Sequence, residues 1–244
     1  MKAAARREPS HEHHFGAPEI RDAYARWAPI YDLAFADVFR PGRHAAVAAA
    51  ARTSGPILNV GVGTGLELPL FDRRRKVVAI DLSEHMLRRA RRRTAYHGLH
   101  NVELICMDAS RLALPDSAFG CVVAPFVLPV VPDPQRLLDE MARVTRPGGE
   151  IIVVNHVSAN DHPFAAIEPW LGRHVAPRLG WRPQFPWEVI GDWIDSRREA
   201  RLLERRVCAP FRMFTMARIG WRCDEVARSS EDSAPVAAQP AAAS

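Results

Sequence analysis

The chain has 244 residues, 48% of them hydrophobic and 25% charged, with a net charge of +5. That suits one large α/β domain with a sizeable core, and no apolar run approaches the roughly 20 residues that span a bilayer. Four widely spaced cysteines without a C-x-x-C pair argue against a zinc site, and the Arg- and His-rich stretch from Met1 to Gly16 lacks the apolar stretch of a secretory signal. No metal is called for, and a cytoplasmic location is expected by default.

Residues 1–17 read as a disordered N-terminus. Ile20, Tyr24, Trp27, Tyr31, Phe35 and Val38 then recur at helical spacing, with Pro29 starting a second helix at its first turn. This amphipathic segment, residues 18–40, can dock on the core, close over a ligand as a lid, or lie in a membrane surface. Arg43 to Arg52 predicts an Ala-rich helix, stopped by Ser54-Gly55-Pro56.

Ile57-Leu58-Asn59-Val60 suits a strand buried on both faces. Gly61-Val62-Gly63-Thr64-Gly65 follows as a tight turn into a helix expected to begin near Thr64. Glycine tolerates positive φ there and lets a ligand approach the backbone. A second apolar run, Val77 to Ile80, delivers Asp81 about 20 residues past the first glycine, where a carboxylate can accept both hydroxyls of a ribose. The pattern is G-x-G-x-G, with Leu66 where a dinucleotide fingerprint has its last glycine.

Ser83 is a natural N-cap for a helix that ends at Gly98, and Arg88 to Arg93 reads as its solvated outer face. Val102 to Met107 is the next strand and delivers Asp108, either a ligand acceptor or the cap of a helix before Arg111. Gly120 to Leu128 gives strand four and a loop beside strand one, where the sheet order should reverse and open a ligand crevice. Gln135 to Val144 is a helix, Arg146-Pro147-Gly148-Gly149 a turn, and Glu150 to Val154 strand five, with Asn155 and His156 at its tip. Cys106 and Cys121 are expected to be buried hydrophobes.

Beyond His156 the composition changes. Trp170, Trp181, Trp187 and Trp193, with Arg173, Arg178 and Arg182, mark an inserted lid over 160–200. The tryptophans serve either a membrane interface or a small satellite core. Leu202 to Cys208 and Met213 to Ile219 predict an antiparallel pair closing the sheet. The domain is expected to run over 18–228, with a disordered Ala/Pro/Ser-rich tail at 229–244. Between Pro163 and Arg222 eleven Arg stand against six acids, so the positive excess lies there and points to an anionic partner or a solvated basic face.

The glycine motif, Asp81, Asp108 and the R-P-G-G turn resemble the class I S-adenosylmethionine (SAM)-dependent methyltransferases over about residues 40–160. The implied fold is α/β, a Rossmann-like sheet with helices on both faces, an N-terminal amphipathic segment and a lid after strand five. Tyr24-x-x-Trp27-Ala28-Pro29-Ile30-Tyr31-Asp32, the N-V-G-V-G-T-G-L form of the glycine motif and F-V-L-P-V-V-P-D-P at 126–134 resemble, more narrowly, the bacterial phosphatidylethanolamine N-methyltransferases. The Tyr-rich N-terminal pattern also occurs, loosely, in quinone C-methyltransferases.

The resemblance implies SAM as cofactor, with S-adenosylhomocysteine as product. It places Tyr24, Tyr31, Gly61, Gly63, Thr64, Gly65, Asp81, Leu82, Met86, Asp108, Ala109, Pro125 and Phe126 around it. Asp108 would accept the adenine amino group and Ala109 would offer its N–H to the ring. Tyr31 and His156 are the catalytic candidates, with Asp32 beside Tyr31; His156, Arg178 and Arg182 are candidates for the lipid phosphate. The implied partners are phosphatidylethanolamine and a phospholipid surface, preferentially anionic, at the inner face of the cell membrane. Nucleic acid is not expected: strand four ends Ala124-Pro125-Phe126-Val127, without the N/D-P-P-Y/F motif of many amino-base enzymes. A small-molecule C-methyltransferase and a SAM-binding protein without turnover are the competing readings.

Overall fold

The computed structural model describes residues 39–156, 185–208 and 214–222. Runs of Val, Ile, Ala and Leu build its central strands: β1 (Ile57–Val60), β2 (Val77–Asp81), β3 (Val102–Cys106), β4 (Phe119–Pro125) and β5 (Thr145–His156). These pair in parallel. Two later strands, β6 (Ala200–Cys208) and β7 (Phe214–Trp221), add an antiparallel edge, with β7 against β5. The order is β3-β2-β1-β4-β5-β7-β6, so the strand order reverses between β1 and β4, as the sequence predicts.

Helices cover both faces. On one side α1 (residues 39–50) and α2 (Glu84–His97) bury Ile57, Val77, Ala79, Cys121, Val123, Ile152 and Val154. On the other, α3 (Pro134–Val144) and α4 (Glu188–Asp195) cover Leu58, Val60, Val122, Ala124, Ile151 and Val153. Each buried Val, Leu or Ile among them contributes about 1.5–3 kcal/mol. The caps follow the residues. Ser83 accepts the N–H of Met86 at 3.4 Å, Gly98 ends α2 at φ +59°, and Asp133 accepts the N–H of Arg136 at 3.0 Å with Pro134 in the first turn. Arg75 Nη1 donates to Ala50 O at 2.7 Å and holds the C-terminal end of α1.

Several expectations are corrected. The helix expected from Thr64 is instead a series of turns and one 3-10 turn, Leu68–Leu70. Gly65 sits at φ +77°, which a right-handed helix cannot continue through, and Pro69 has no N–H to give. The Ala-rich helix does not begin at Arg43, because Phe39 and Arg40 already belong to it. R-P-G-G is not a turn before β5 but part of it: Thr145 pairs with Phe119, the register then shifts, and Gly148 takes φ +74°. Cys121 is buried and its thiol is pushed up to about 12 by burial, whereas Cys106 is exposed because β3 is the sheet edge.

Part of the expected lid is core. Trp193 is 1% exposed, stacks on Trp221 and donates to Asp139 at 2.9 Å, while Ile190 and Ile194 share its face of α4. Trp187 packs against the same core and carries the Arg205 guanidinium 3.9 Å from its ring centre. Both take the core reading left open for the tryptophans. Trp170, Trp181, the N-terminal stripe and both expected disordered ends lie outside the described residues. On α2, Arg88, Arg91 and Arg92 are solvated as expected, while Arg89 and Arg93 are half-buried.

Candidate cofactor and acceptor site

The C-terminal ends of β1, β2 and β4 open on one cleft, lined by Gly61, Gly63, Thr64, Asp81, Leu82, Met86, Asp108, Ala109, Pro125 and Phe126. All were singled out in the sequence. Gly61 has φ +65°, and a Cβ there would lie 2.4 Å from Val127 Cγ2, so glycine lets the loop after β4 close on the turn. Gly63 has φ +55°, and a Cβ there would meet nothing within 4 Å, leaving open space beside its backbone. Gly65 lies apart from the cleft lining. A Cβ on it would be 2.8 Å from Leu68 Cδ1 and 3.2 Å from Ala90 Cβ, so its place is set by packing under α2.

Asp81 ties the site together. Its Oδ2 accepts the N–H of Gly63 and its Oδ1 the N–H of Ser83, each at 2.8 Å. Desolvation pushes this carboxyl above its ordinary range, and the two N–H groups pull it back. Lone pairs remain on both oxygens for a diol. Asp108 accepts the N–H of Ser110 at 2.8 Å through Oδ1, in a turn rather than at the head of a helix.

Phe126 forms the opposite wall. It holds φ +64°, uncommon for an aromatic residue, and donates its N–H to Val154 O at 2.6 Å. Its ring meets Phe39 at 4.7 Å and Phe214 at 5.1 Å, so α1, β4 and β7 together fix the wall.

Phe39, Arg43 and Glu67 are among the lining residues that the sequence did not assign to a ligand. Glu67 is buried and accepts Asn59 Nδ2 at 3.0 Å through Oε1. Burial pushes its carboxyl up, against the amide of Asn59 and the positive charges of Arg43 and Arg93. A lone acid in the apolar run Leu66-Glu67-Leu68-Pro69-Leu70 was the available signal. Tyr24, Tyr31, Asp32, Arg178 and Arg182 lie outside the described residues. His156 is placed by its backbone as the last residue of β5, paired with Phe214.

The donor and acceptor set fits a nucleoside with an amino-acid tail. Positive-φ glycines open the turn, Asp81 offers a diol acceptor, and Asp108 with Ala109 stands at the next strand tip. Asn59 Oδ1, behind Glu67, is buried without a hydrogen-bond partner.

Comparison with known proteins agrees. The family described as "Methyltransferase domain" matches residues 58–153. A phosphatidylethanolamine N-methyltransferase of Cereibacter sphaeroides is 43% identical over 200 residues, covering 82% of this chain and 96% of that protein. A demethylmenaquinone methyltransferase of Geobacillus stearothermophilus is 36% identical over 105 residues, 43% of this chain and 45% of that protein. Among solved structures, a SAM-dependent methyltransferase from Thermotoga maritima superposes with a TM-score of 0.63 at 19% identity, covering 82% of this chain and 99% of that one. Another from Aquifex aeolicus gives a TM-score of 0.54 at 19% identity, over 68% of this chain and 82% of that one. These two likenesses speak for the fold.

Proposed function

This chain belongs to the SAM-dependent methyltransferases and takes SAM as its cofactor; from that premise we propose that it methylates the amine of phosphatidylethanolamine and its methylated intermediates, towards phosphatidylcholine, at a membrane surface. One observation carries the reading. The likeness to the Cereibacter sphaeroides enzyme runs over 200 residues, more than the 58–153 core can hold. The likeness to the demethylmenaquinone enzymes covers only 43% of the chain. Acceptor choice in such folds is made outside the shared core, by parts grafted on it.

Bound SAM would supply a sulfonium methyl group open to in-line attack by a nitrogen lone pair, the N–C bond forming as the C–S bond breaks and S-adenosylhomocysteine leaves. The chain's task is to hold both reactants in contact and aligned. Asp81 is assigned to the ribose, Asp108 and Ala109 to the adenine, and the glycine turn to the approach of the tail. The amine must lose its proton first. A primary ammonium with a pKa near that of Lys is neutral in roughly one molecule in 10³ at pH 7, a cost of about 4–5 kcal/mol. Tyr31 is assigned to orient the amine or pack on its cationic form, and His156 to accept a hydrogen bond from it or to bind the lipid phosphate. Arg178 and Arg182 are assigned to phosphate.

One feature supports a peripheral place at the inner face of the cell membrane, preferentially on anionic lipid: the sequence carries its positive excess beyond Pro163. No helix among the described residues is long and apolar enough to cross a bilayer. The test offers the purified chain SAM with phosphatidylethanolamine vesicles in one arm and a demethylated quinone in the other. Methylated lipid with unchanged quinone is expected. Methylated quinone alone would replace this reading with the C-methyltransferase one.

A further inference from the structure

Among the described residues β6 is an edge of the sheet: it pairs with β7 on one side and ends the strand order on the other. Arg201, Leu202, Leu203, Arg205, Arg206 and Val207 are all exposed along it, and Leu202, Leu203 and Val207 are each at least 40% exposed. We propose that this edge is the face by which the chain docks on an anionic phospholipid surface. This rests on the reading of the acceptor as a membrane lipid, and it names the part of the fold that meets the membrane.

The charge of the edge is uncancelled. From Arg198 to Val207 the sequence has four Arg against two Glu. Among the described residues neither Arg201 nor Arg205 has a carboxylate partner, and Arg205 lies over the Trp187 ring instead. Glu204 is already shared by Arg218 and Arg52, each at 3.0 Å, and by Arg206 at 3.5 Å. An anionic surface complements this set, since each basic side chain near one strengthens binding about fivefold.

Arginines on an edge strand are by themselves an ordinary guard against pairing with another chain. Such a guard does not need exposed leucines beside it. The register shifts between Leu202 and Glu204, so Leu203 has no partner on β7 and stands in a bulge. Leu202, Arg205 and Val207 pair with Ile219, Ala217 and Thr215, while Glu204 and Arg206 pair with Arg218 and Met216. Arginine therefore stands on both faces of the strand with aliphatic groups between. That mixture suits the headgroup boundary, where a guanidinium meets phosphate and aliphatic groups meet the acyl region. A second copy paired on this edge would bring the arginines of both strands onto one ladder, where like charges repel.

The edge also stands on the side left to the acceptor. β4, β5, β7 and β6 are consecutive, so β6 lies three spacings from β4, about 14 Å. Its last residue, Cys208, pairs with Phe214, and the Phe214 ring meets the Phe126 wall of the cleft at 5.1 Å. The nucleoside is assigned to the tips of β2 and β3, towards the other edge of the sheet. Docking on β6 turns the Phe126 side of the cleft towards the lipid.

The test is flotation of the full chain with vesicles of phosphatidylglycerol and phosphatidylcholine, and with vesicles of phosphatidylcholine alone. Three variants are compared with wild type: Arg201→Gln/Arg205→Gln/Arg206→Gln, the same three positions changed to Lys, and Leu203→Ser. Unchanged affinity for S-adenosylhomocysteine reports a folded cleft in each. The triple Gln variant is expected to bind the anionic vesicles about 10- to 100-fold more weakly, with the Lys variant close to wild type. Leu203→Ser should weaken binding about 3- to 10-fold. Unchanged binding by the Gln variant or by Leu203→Ser, or no binding of wild type to anionic vesicles, would overturn the docking face. A wild-type dimer in sedimentation that the Gln substitutions dissociate would give the edge to a second copy and overturn it too. Methyl transfer to detergent-dispersed phosphatidylethanolamine, which needs no vesicle, decides the acceptor reading separately.

Discussion

The Asp81 carboxylate accepts the backbone N–H of Gly63 at 2.8 Å, so the tip of β2 fixes the shape of the turn after β1. The same carboxylate holds Ser83, the N-cap of α2. One side chain therefore sets the turn, holds the residue that caps a helix and lines the cleft. Asp81→Ala is expected to weaken S-adenosylhomocysteine about 100-fold or more, because two ligand bonds and the turn geometry go together. Calorimetry checks it, and unchanged affinity would contradict the place of Asp81 in the site.

The glycines of the turn should separate stability from binding. Gly61→Ala puts a methyl group 2.4 Å from Val127 Cγ2 at φ +65°, combining overlap with left-handed strain. It should cost about 3 kcal/mol or more. Gly63→Ala meets no atom within 4 Å and has only the strain of φ +55°, about 1–2 kcal/mol, or a Tm lower by about 2–8 °C. The added methyl group should still obstruct the ligand, so Gly63→Ala is expected to fold and to lose cofactor affinity. Thermal unfolding with and without S-adenosylhomocysteine reads both quantities.

Arg218 joins two carboxylates across the antiparallel edge of the sheet. Its Nη2 lies 2.8 Å from Glu150 Oε1 and its Nη1 3.0 Å from Glu204 Oε2, and the guanidinium side chain is 9% exposed. Arg218→Met would leave both acids without that partner and should cost about 3 kcal/mol at pH 7. The Glu204 carboxyl is held below its ordinary range, first by this hydrogen bond. A depressed carboxyl contributes stability above its unfolded value of 4.5, lost as pH falls through the lower folded value. The gap between wild type and Arg218→Met should therefore narrow below about pH 4, in denaturant titrations run at several pH values.

Glu67 has the opposite sign. Burial raises its carboxyl above the ordinary 4.5, so the folded chain keeps a proton that the unfolded chain has released. Stability from this group therefore falls as pH rises from 4.5 through the raised value. Glu67→Gln does not titrate. Without ligand it should melt at or above wild type near pH 7, and the difference should vanish below pH 4. Arg43 and Arg93 face the same carboxyl and reduce this effect without reversing it.

Much of this fold could be read because its signals are local. Apolar runs gave the strands, Ser83 and Gly98 bounded α2, and the distance from Gly61 to Asp81 placed that carboxylate at the tip of β2, in the cleft. The turn after the glycine motif was misread because a glycine turn that follows a buried strand ordinarily leads into a helix, whereas Gly65 and Pro69 prevent one here. That misreading also hid Glu67, whose place depends on the turn. Phe39 and Arg43 were missed for another reason: they reach the cleft through the docking of α1, which no short-range pattern encodes. Trp193 reads equally well as membrane-facing or core, and only its contact with Trp221 and Asp139 decides.

The most direct measurement is transfer of labelled methyl from SAM to vesicles containing phosphatidylethanolamine, with the product lipids separated. Labelled mono-, di- or trimethylated phosphatidylethanolamine is predicted, abolished by Asp81→Ala, and the most methylated product gives the number of steps. No labelled lipid from a chain that binds S-adenosylhomocysteine would contradict the account of its acceptor.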